Sequence, residues 1–78
     1  MGKVWNVRQF SCDEEPTSVG TFGSKEKAIK CLKDERVEEM GMEIIETMGK
    51  IIAIAPEELG RDRREWQDWY EVEEKTVQ

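Results

Sequence analysis

The sequence predicts an α+β fold: a small antiparallel sheet, in the order β-β-α-β-β-β, with one long amphipathic helix packed on one face. Two observations lead to this prediction. Between Ser24 and Met40, apolar residues recur close to the i, i+3, i+4 spacing of one helical face. On both sides of this stretch, short runs rich in β-branched and aromatic residues alternate with turn-forming residues. Residues 1–78 make a single domain near the lower size limit for an autonomous core.

Two strands are predicted before the helix. Lys3–Phe10 mixes valine, tryptophan and phenylalanine with polar residues, which is typical of a half-buried strand. The acidic run 11–16 ends in proline and predicts a loop. Thr17–Phe22 then returns antiparallel to the first strand.

The helix is predicted to begin after Ser24, a favoured N-cap residue, and to end at Met40. Gly41 follows as a left-handed cap. Lysines occupy its first turns and carboxylates its last, which opposes the helix dipole at a cost of roughly 0.3–1 kcal/mol per charge. A helix that tolerates these charges is a candidate for a charge-dependent function.

Three strands are predicted after the helix. Met42–Thr47 and Lys50–Ala55 flank Met48 and Gly49, which predicts a hairpin with a tight turn. Residues 56–60 begin with proline and end with glycine, as a single helical turn does. The charged connection at 61–65 fits either a helix or a loop. Apolar and polar side chains alternate in Trp69–Val77, which predicts a final strand.

The residue types in the chain narrow the possible functions. Histidine is absent, which removes the commonest general base and the commonest metal ligand. We therefore expect no enzyme, no metal and no cofactor. Cys12 and Cys31 form no C-x-x-C pair and are expected to be free thiols, with a disulfide as the less favoured alternative. No run approaches the roughly 20 apolar residues of a membrane span, so we expect a cytoplasmic protein.

The net charge of −6 is unevenly distributed. Residues 1–33 sum to +2 and residues 34–78 to −8. We expect the acidic half to bind a basic protein through electrostatic steering over about 8–10 Å. The carboxylates could imitate duplex phosphates, which present one charge per ≈1.7 Å of axis. A solubilising surface is the ordinary alternative. The expected partner-binding residues are Asp34, Glu35, Glu38, Glu39, Glu43, Glu46, Glu71 and Glu73.

A thin core leads us to expect a homodimer. Hydrophobic residues make up 37% of the chain and charged residues 38%, so either the stability is modest, or a second copy or another partner completes the burial of apolar surface. A dimer would carry a charge of −12, twice that of one chain, and would lengthen the acidic row.

Two other functions remain open. The first is a single-stranded nucleic-acid binder that stacks bases on aromatic side chains beside arginines, although phosphate binding needs a positive surface and this segment is acidic. Its residues would be Trp66, Trp69 and Tyr70 with Arg61, Arg63 and Arg64. The second is an adaptor with an apolar protein interface, formed by Met42, Met48, Ile51 and Trp66.

Residues 20–28, GTFGSKEKA, fit a G-x-F-x-S-x-E-x-A turn found in small phage and bacterial proteins, in which a hairpin leads into one helix. Tyr70–Glu74 fits the Tyr-x-Val-x-Glu strand that often ends them. Over about half its length the chain thus resembles the small acidic early, host-takeover proteins of tailed bacteriophages. The resemblance implies an inhibitor in the cytoplasm of a bacterial host that binds a host enzyme or mimics DNA at a nucleoid or transcription protein. It implies no catalytic residues. We also expect no direct contact with nucleic acid.

Overall fold

Five strands of the described chain form one antiparallel sheet. The computed structural model describes residues 2–47 and 49–77, so Met1, Met48 and Gln78 lie outside the description. The strands are β1 (Gly2–Ser11), β2 (Glu14–Phe22), β3 (Glu43–Thr47), β4 (Lys50–Ile54) and β5 (Asp68–Val77). Their spatial order is β2-β1-β5-β4-β3, with the first and last strands adjacent at the centre.

Three short helical segments connect the strands. α1 (Lys25–Asp34) follows β2, and the Ser24 hydroxyl accepts a hydrogen bond from the Lys27 amide at 3.2 Å as its N-cap. α2 (Pro56–Leu59) begins with proline and follows β4. A 3₁₀ turn (Arg63–Glu65) precedes β5, and the Asp62 carboxylate caps it. None of these segments, within residues 2–47 and 49–77, has the length and apolar character needed to cross a membrane.

The predicted fold class is wrong, because residues 2–47 and 49–77 contain no long amphipathic helix. It is mostly antiparallel sheet, with 52% of the described residues in strands and 23% in helices. α1 ends at Asp34 instead of Met40, and Arg36 adopts a φ of 59°, in the left-handed region. Residues 35–41 form successive turns, and Gly41, at φ 81°, ends these turns instead of a helix.

The spacing of apolar residues explains why the helix stops. Leu32 and Val37 are both fully buried, but they are five positions apart. A continued helix of 3.6 residues per turn would rotate Val37 about 140° away from Leu32. Leaving the helix at Glu35 lets Val37 return to the core. The shorter helix still ends on the carboxylates of Asp34 and Glu35, which the helix dipole disfavours, so burial of Val37 is the interaction that stabilises this ending.

The two faces of the sheet carry separate apolar clusters. On the helix face, where α1 packs, the buried residues include Val7, Leu32, Ile51 and Val72. On the second face, Ile54, Trp66 and Trp69 are buried together, with Phe10, Ile45 and Ile52 packed against them. β5 contributes to both clusters, because Trp69 and Glu71 point to the opposite face from Tyr70 and Val72.

The left-handed conformation of Arg36 gives a test of where the helix ends. Arg36→Gly should unfold with a higher free energy than Arg36→Ala, by about 1 kcal/mol, because glycine adopts a positive φ without steric cost. Both variants lose the same side chain, so the difference isolates the backbone. Urea denaturation followed by circular dichroism measures it. If the alanine variant were the more stable of the two, the helix would continue through this position.

Candidate functional site: an acidic turn beside the sheet

Four of the predicted partner-binding carboxylates lie together where α1 ends. Asp34 is the last residue of the helix, and Glu35, Glu38 and Glu39 follow in the turns after it. Glu43 starts β3, and all five side chains are exposed. We call residues 34–43 the acidic turn. It holds five carboxylates and a single basic residue, Arg36, so its net charge is −4.

Burial of one side chain and a set of backbone hydrogen bonds hold the acidic turn in place. Val37 is fully buried at its centre. Its carbonyl accepts hydrogen bonds from the Met40 and Met42 amides at 3.2 and 3.0 Å, and the Glu38 carbonyl accepts one from Gly41 at 3.1 Å. The carboxylates therefore project from an ordered turn that is anchored in the core.

Little internal pairing neutralises these carboxylates. Within the part of the chain that the structure describes, the acidic turn contains one ion pair, between Arg36 and Glu39 at 4.0 Å. Both side chains of this pair are more than 70% exposed. Exposed pairs of this kind contribute about 0–1 kcal/mol. Most of the negative charge of the acidic turn thus faces solvent uncompensated.

The negative charge of the acidic turn also affects titratable groups inside the protein. Burial, and then the carboxylates of Glu35 and Asp34, raise the pKa of the half-buried Cys31 thiol. Burial and then the Glu35 carboxylate likewise raise the pKa of Tyr70. Both effects oppose the formation of a second negative charge close to the acidic turn.

The other three predicted carboxylates lie elsewhere, so the predicted set does not form one surface. Glu46, on the helix face, forms an ion pair with Lys25. Glu73 is exposed on the second face. Glu71 is buried at the centre of the second face, with 4% of its surface exposed, and is therefore not available to a partner.

Glu71 is held by three donors. Its Oε1 lies 2.8 Å from Lys50 Nζ, and its Oε2 pairs with Arg63 and accepts a hydrogen bond from Trp69 Nε1 at 2.7 Å. Burial by itself would raise the pKa of Glu71, but hydrogen bonds from Lys50 and Trp69 and the charges of Arg63 and Lys50 outweigh it. The pKa is therefore lowered. Glu71 is a structural anion that fixes the 3₁₀ turn against the sheet.

The aromatic residues of the C-terminal segment form a closed stack on the second face. The rings of Phe10 and Trp69 are nearly parallel at 5.2 Å, and Trp66 meets Trp69 edge-on at 5.4 Å. Trp66 and Trp69 are each only 8% exposed. Of the neighbouring arginines, Arg63 pairs with Glu71, while Arg64 pairs with Asp62.

The residues suggested for an apolar interface are also largely internal. Ile51 is 4% exposed, Trp66 is buried and Met42 is half-buried, while Met48 lies outside the described residues. Cys12 and Cys31 are free. In residues 2–47 and 49–77, no three side chains of the types that bind metals come together as a metal site.

Two open grooves border the acidic turn. One, of about 730 Å³, lies between α1 and β3 and is lined in part by Ile29, Lys33, Glu38 and Glu43. The other, of about 620 Å³, is lined in part by Met40, Glu57, Glu58 and Tyr70. Carboxylates outnumber basic residues along both grooves, so they extend the negative surface of the acidic turn.

Comparison of the chain with protein-family models, with curated proteins and with solved structures finds no match. The candidate site therefore rests on the geometry of the chain itself.

The buried anion on the second face gives a pH-dependent test. Glu71→Gln keeps an acceptor for Trp69 but removes the charge that pairs with Lys50 and Arg63, so we expect a loss of about 1–2 kcal/mol at pH 7. Because the pKa of Glu71 is lowered from its ordinary 4.5, this stabilisation is present above that pH. It is lost as the pH falls through the folded-state pKa.

Urea unfolding of the wild type and the variant between pH 7 and pH 3 measures this effect. The two stabilities should converge at the acid end. Glu73→Gln, two residues along the same strand and exposed, is the control and should change the stability by less than about 0.5 kcal/mol. If the difference in the free energy of unfolding between wild type and Glu71→Gln stayed constant with pH, Glu71 would not be the stabilising anion.

Proposed function

We propose that this chain is a non-enzymatic inhibitor that binds a basic partner protein through the acidic turn. It would act as a homodimer in the cytoplasm of a bacterial host and compete with DNA for a nucleoid-associated or other DNA-binding protein. The observation that carries the proposal is an anchored turn with a net charge of −4, whose carboxylates are exposed.

The contrast between the predicted carboxylates supports the proposal. Glu46 and Glu71 are engaged with basic side chains of the same chain, so their charge is already balanced. Asp34, Glu35 and Glu38 have no such partner among residues 2–47 and 49–77. A basic protein gains more by pairing with uncompensated carboxylates, because no existing ion pair has to be broken first.

Met40 offers an apolar contact within the same turn. Its side chain is 53% exposed, and charged residues lie on both sides of it along the chain. Methionine is enriched at protein interfaces, where an apolar centre is commonly ringed by polar residues. The acidic turn thus combines charges that steer a basic partner with a side chain that can be buried on contact.

Competition with DNA follows from the charge of the acidic turn. Proteins that bind DNA without reading its sequence use lysines and arginines placed to neutralise phosphates. An ordered array of carboxylates offers such a surface an alternative anion. Association should therefore weaken as salt is added, since screening acts on both partners.

Charge reversal in the acidic turn tests the proposal. Glu38→Lys/Glu39→Lys should reduce the capture of basic proteins from a bacterial lysate at low salt by about tenfold, because it reverses the local field. Glu15→Lys/Glu26→Lys is the matched control, with the same change in net charge at two exposed carboxylates outside the acidic turn. If both variants lost capture equally, the net charge of the chain and not the acidic turn would explain binding. Capture that does not change with salt concentration would contradict the proposal.

The captured protein then allows a direct test of inhibition. Once purified, it is mixed with a fluorescently labelled DNA duplex, and the chain is titrated in while fluorescence anisotropy is followed. Wild type and Glu15→Lys/Glu26→Lys should release the duplex at similar concentrations. Glu38→Lys/Glu39→Lys should need about ten times more. Formation of a ternary complex, without release of DNA, would contradict competition.

The burial of the tryptophans argues against direct binding of single-stranded nucleic acid. Trp66 and Trp69 are packed against each other and Phe10, so their rings are not free to stack on bases. A single-stranded oligonucleotide added at low salt should leave the tryptophan fluorescence unchanged. Saturable quenching would instead support nucleic-acid binding and would count against the acidic-turn proposal.

A further inference from the structure

The sheet has two edge strands, and they differ in how they are protected. Both carry glutamates, but β2 has two further features that natural proteins use to block edge pairing: Pro16 near its start, and a register shift opposite Val7 and Arg8. β3 contains no proline, and its five residues pair with β4 without any register shift. No proline or register shift therefore interrupts the edge at β3, and all five of its residues can pair with an added strand.

The register of the hairpin defines which backbone groups β3 presents to solvent. Only two residues separate Thr47 from Lys50, so this closing pair exchanges both hydrogen bonds. By alternation, Glu43 and Ile45 also direct their backbone groups toward β4. The N–H and C=O groups of Ile44 and Glu46 therefore point away from the sheet.

The space beside this edge is open. The groove of about 730 Å³ separates α1 from β3, with Ile29 and Lys33 on one side and Glu43 and Ile44 on the other. The helix thus leaves room beside Glu43 and Ile44 for side chains from an added strand, while at the other end of the edge Lys25 of α1 pairs with Glu46.

We propose that β3 pairs with β3 of a second copy of this chain, antiparallel, about a two-fold axis at Ile45. Two five-stranded sheets would join into one ten-stranded sheet. The inference rests on the homodimer proposed above and supplies its interface.

The sequence of β3 is self-complementary in this register. Ile44 faces the partner's Glu46 as a hydrogen-bonded pair, and Ile45 faces the partner's Ile45 as a non-hydrogen-bonded pair, in which side chains approach more closely. Glu43 faces the partner's Thr47. All five residues pair and no carboxylate directly opposes another, whereas an axis at Glu46 would place two glutamates face to face.

The axis at Ile45 also extends the apolar cluster of the second face. Ile45 is half-buried against Ile52 in one chain. Contact with the partner's Ile45 would cover more of both side chains. The buried area is small for a stable dimer, and both chains carry a net charge of −6. We therefore expect weak association that tightens with added salt, the reverse of the salt effect on a basic partner.

Antiparallel pairing fixes where the two acidic turns lie. Each acidic turn ends at Glu43, so the two turns would stand at opposite ends of the shared edge, roughly 14 Å apart along the strand direction. The dimer would present a basic partner with two acidic turns related by the two-fold axis.

The experiment compares Glu46→Pro with Glu46→Ala. Both variants lose the carboxylate and its pairing with Lys25, but only proline lacks the outward N–H, and an outward-facing edge position is where a strand tolerates proline. Sedimentation velocity over a range of concentrations at moderate salt should give similar dimer dissociation constants for the wild type and Glu46→Ala. That of Glu46→Pro should be at least about tenfold higher.

Amide hydrogen exchange of the wild type gives a second measurement that does not depend on the proline variant folding. The Ile44 and Glu46 amides should exchange more slowly as the fraction of dimer rises, while the Ile45 amide is protected at every concentration. Exchange of Ile44 and Glu46 that is independent of concentration would overturn the proposal. So would a Glu46→Pro dimer as strong as that of the wild type, which would place the interface elsewhere.

The dimer through β3 and the binding of a basic partner by the acidic turn can be refuted separately. Glu46→Pro leaves the acidic turn unchanged, so it should still capture a basic partner, with the loss confined to self-association. Capture that fails in the wild type while β3 pairing is observed would refute the inhibitor and leave the dimer standing. A wild type that stays monomeric at high salt would refute the dimer and leave the acidic turn to be judged separately.

Discussion

The pairing between the first strand and the last is the constraint on which the rest of the structure depends. β1 and β5 match over ten residue pairs, from Gly2 with Val77 to Ser11 with Asp68. Each remaining strand attaches to one side of this ladder, β2 to β1 and β4 to β5. Val7 and Val72, opposite each other at its middle, are buried against the helix, and Trp69 and Glu71 lie on the reverse side. Both apolar clusters therefore depend on one long-range register.

Local patterns in the sequence predict where the strands are, but they do not predict which strands lie next to each other in the sheet. Alternation in Trp69–Val77 and the isoleucine-rich runs on both sides of Gly49 identify strands, because alternation, β-branched residues and turn residues are all local signals. That β5 lies between β1 and β4 is a property of the whole sheet, and no short stretch of residues encodes it. The prediction of a long helix is wrong for a similar reason: Leu32 and Val37 are both apolar, but their separation of five positions would place them on different faces of a continued helix.

The sequence predicts the part of the candidate site whose residues are close to one another along the chain. Asp34, Glu35, Glu38 and Glu39 lie together because they are close along the chain, whether in a helix or in turns. Glu71 was misplaced because its burial depends on Arg63 and Lys50, which the fold brings in from two other segments. The sequence contains one signal for this burial. Trp69 and Glu71 are two residues apart on a strand and therefore share a face, so a carboxylate beside a buried tryptophan is expected to be buried as well.

The central position of β5 determines which pieces of this chain can fold. Without β5, β1 and β2 would form one hairpin and β3 and β4 another, with no strand between them. An isolated hairpin is marginally stable at best in water. The segments that precede β5 are therefore not expected to fold without it, and the sheet can assemble only after β5 has been synthesised. Until then a nascent chain must keep Val7, Leu32 and Ile51 from aggregating.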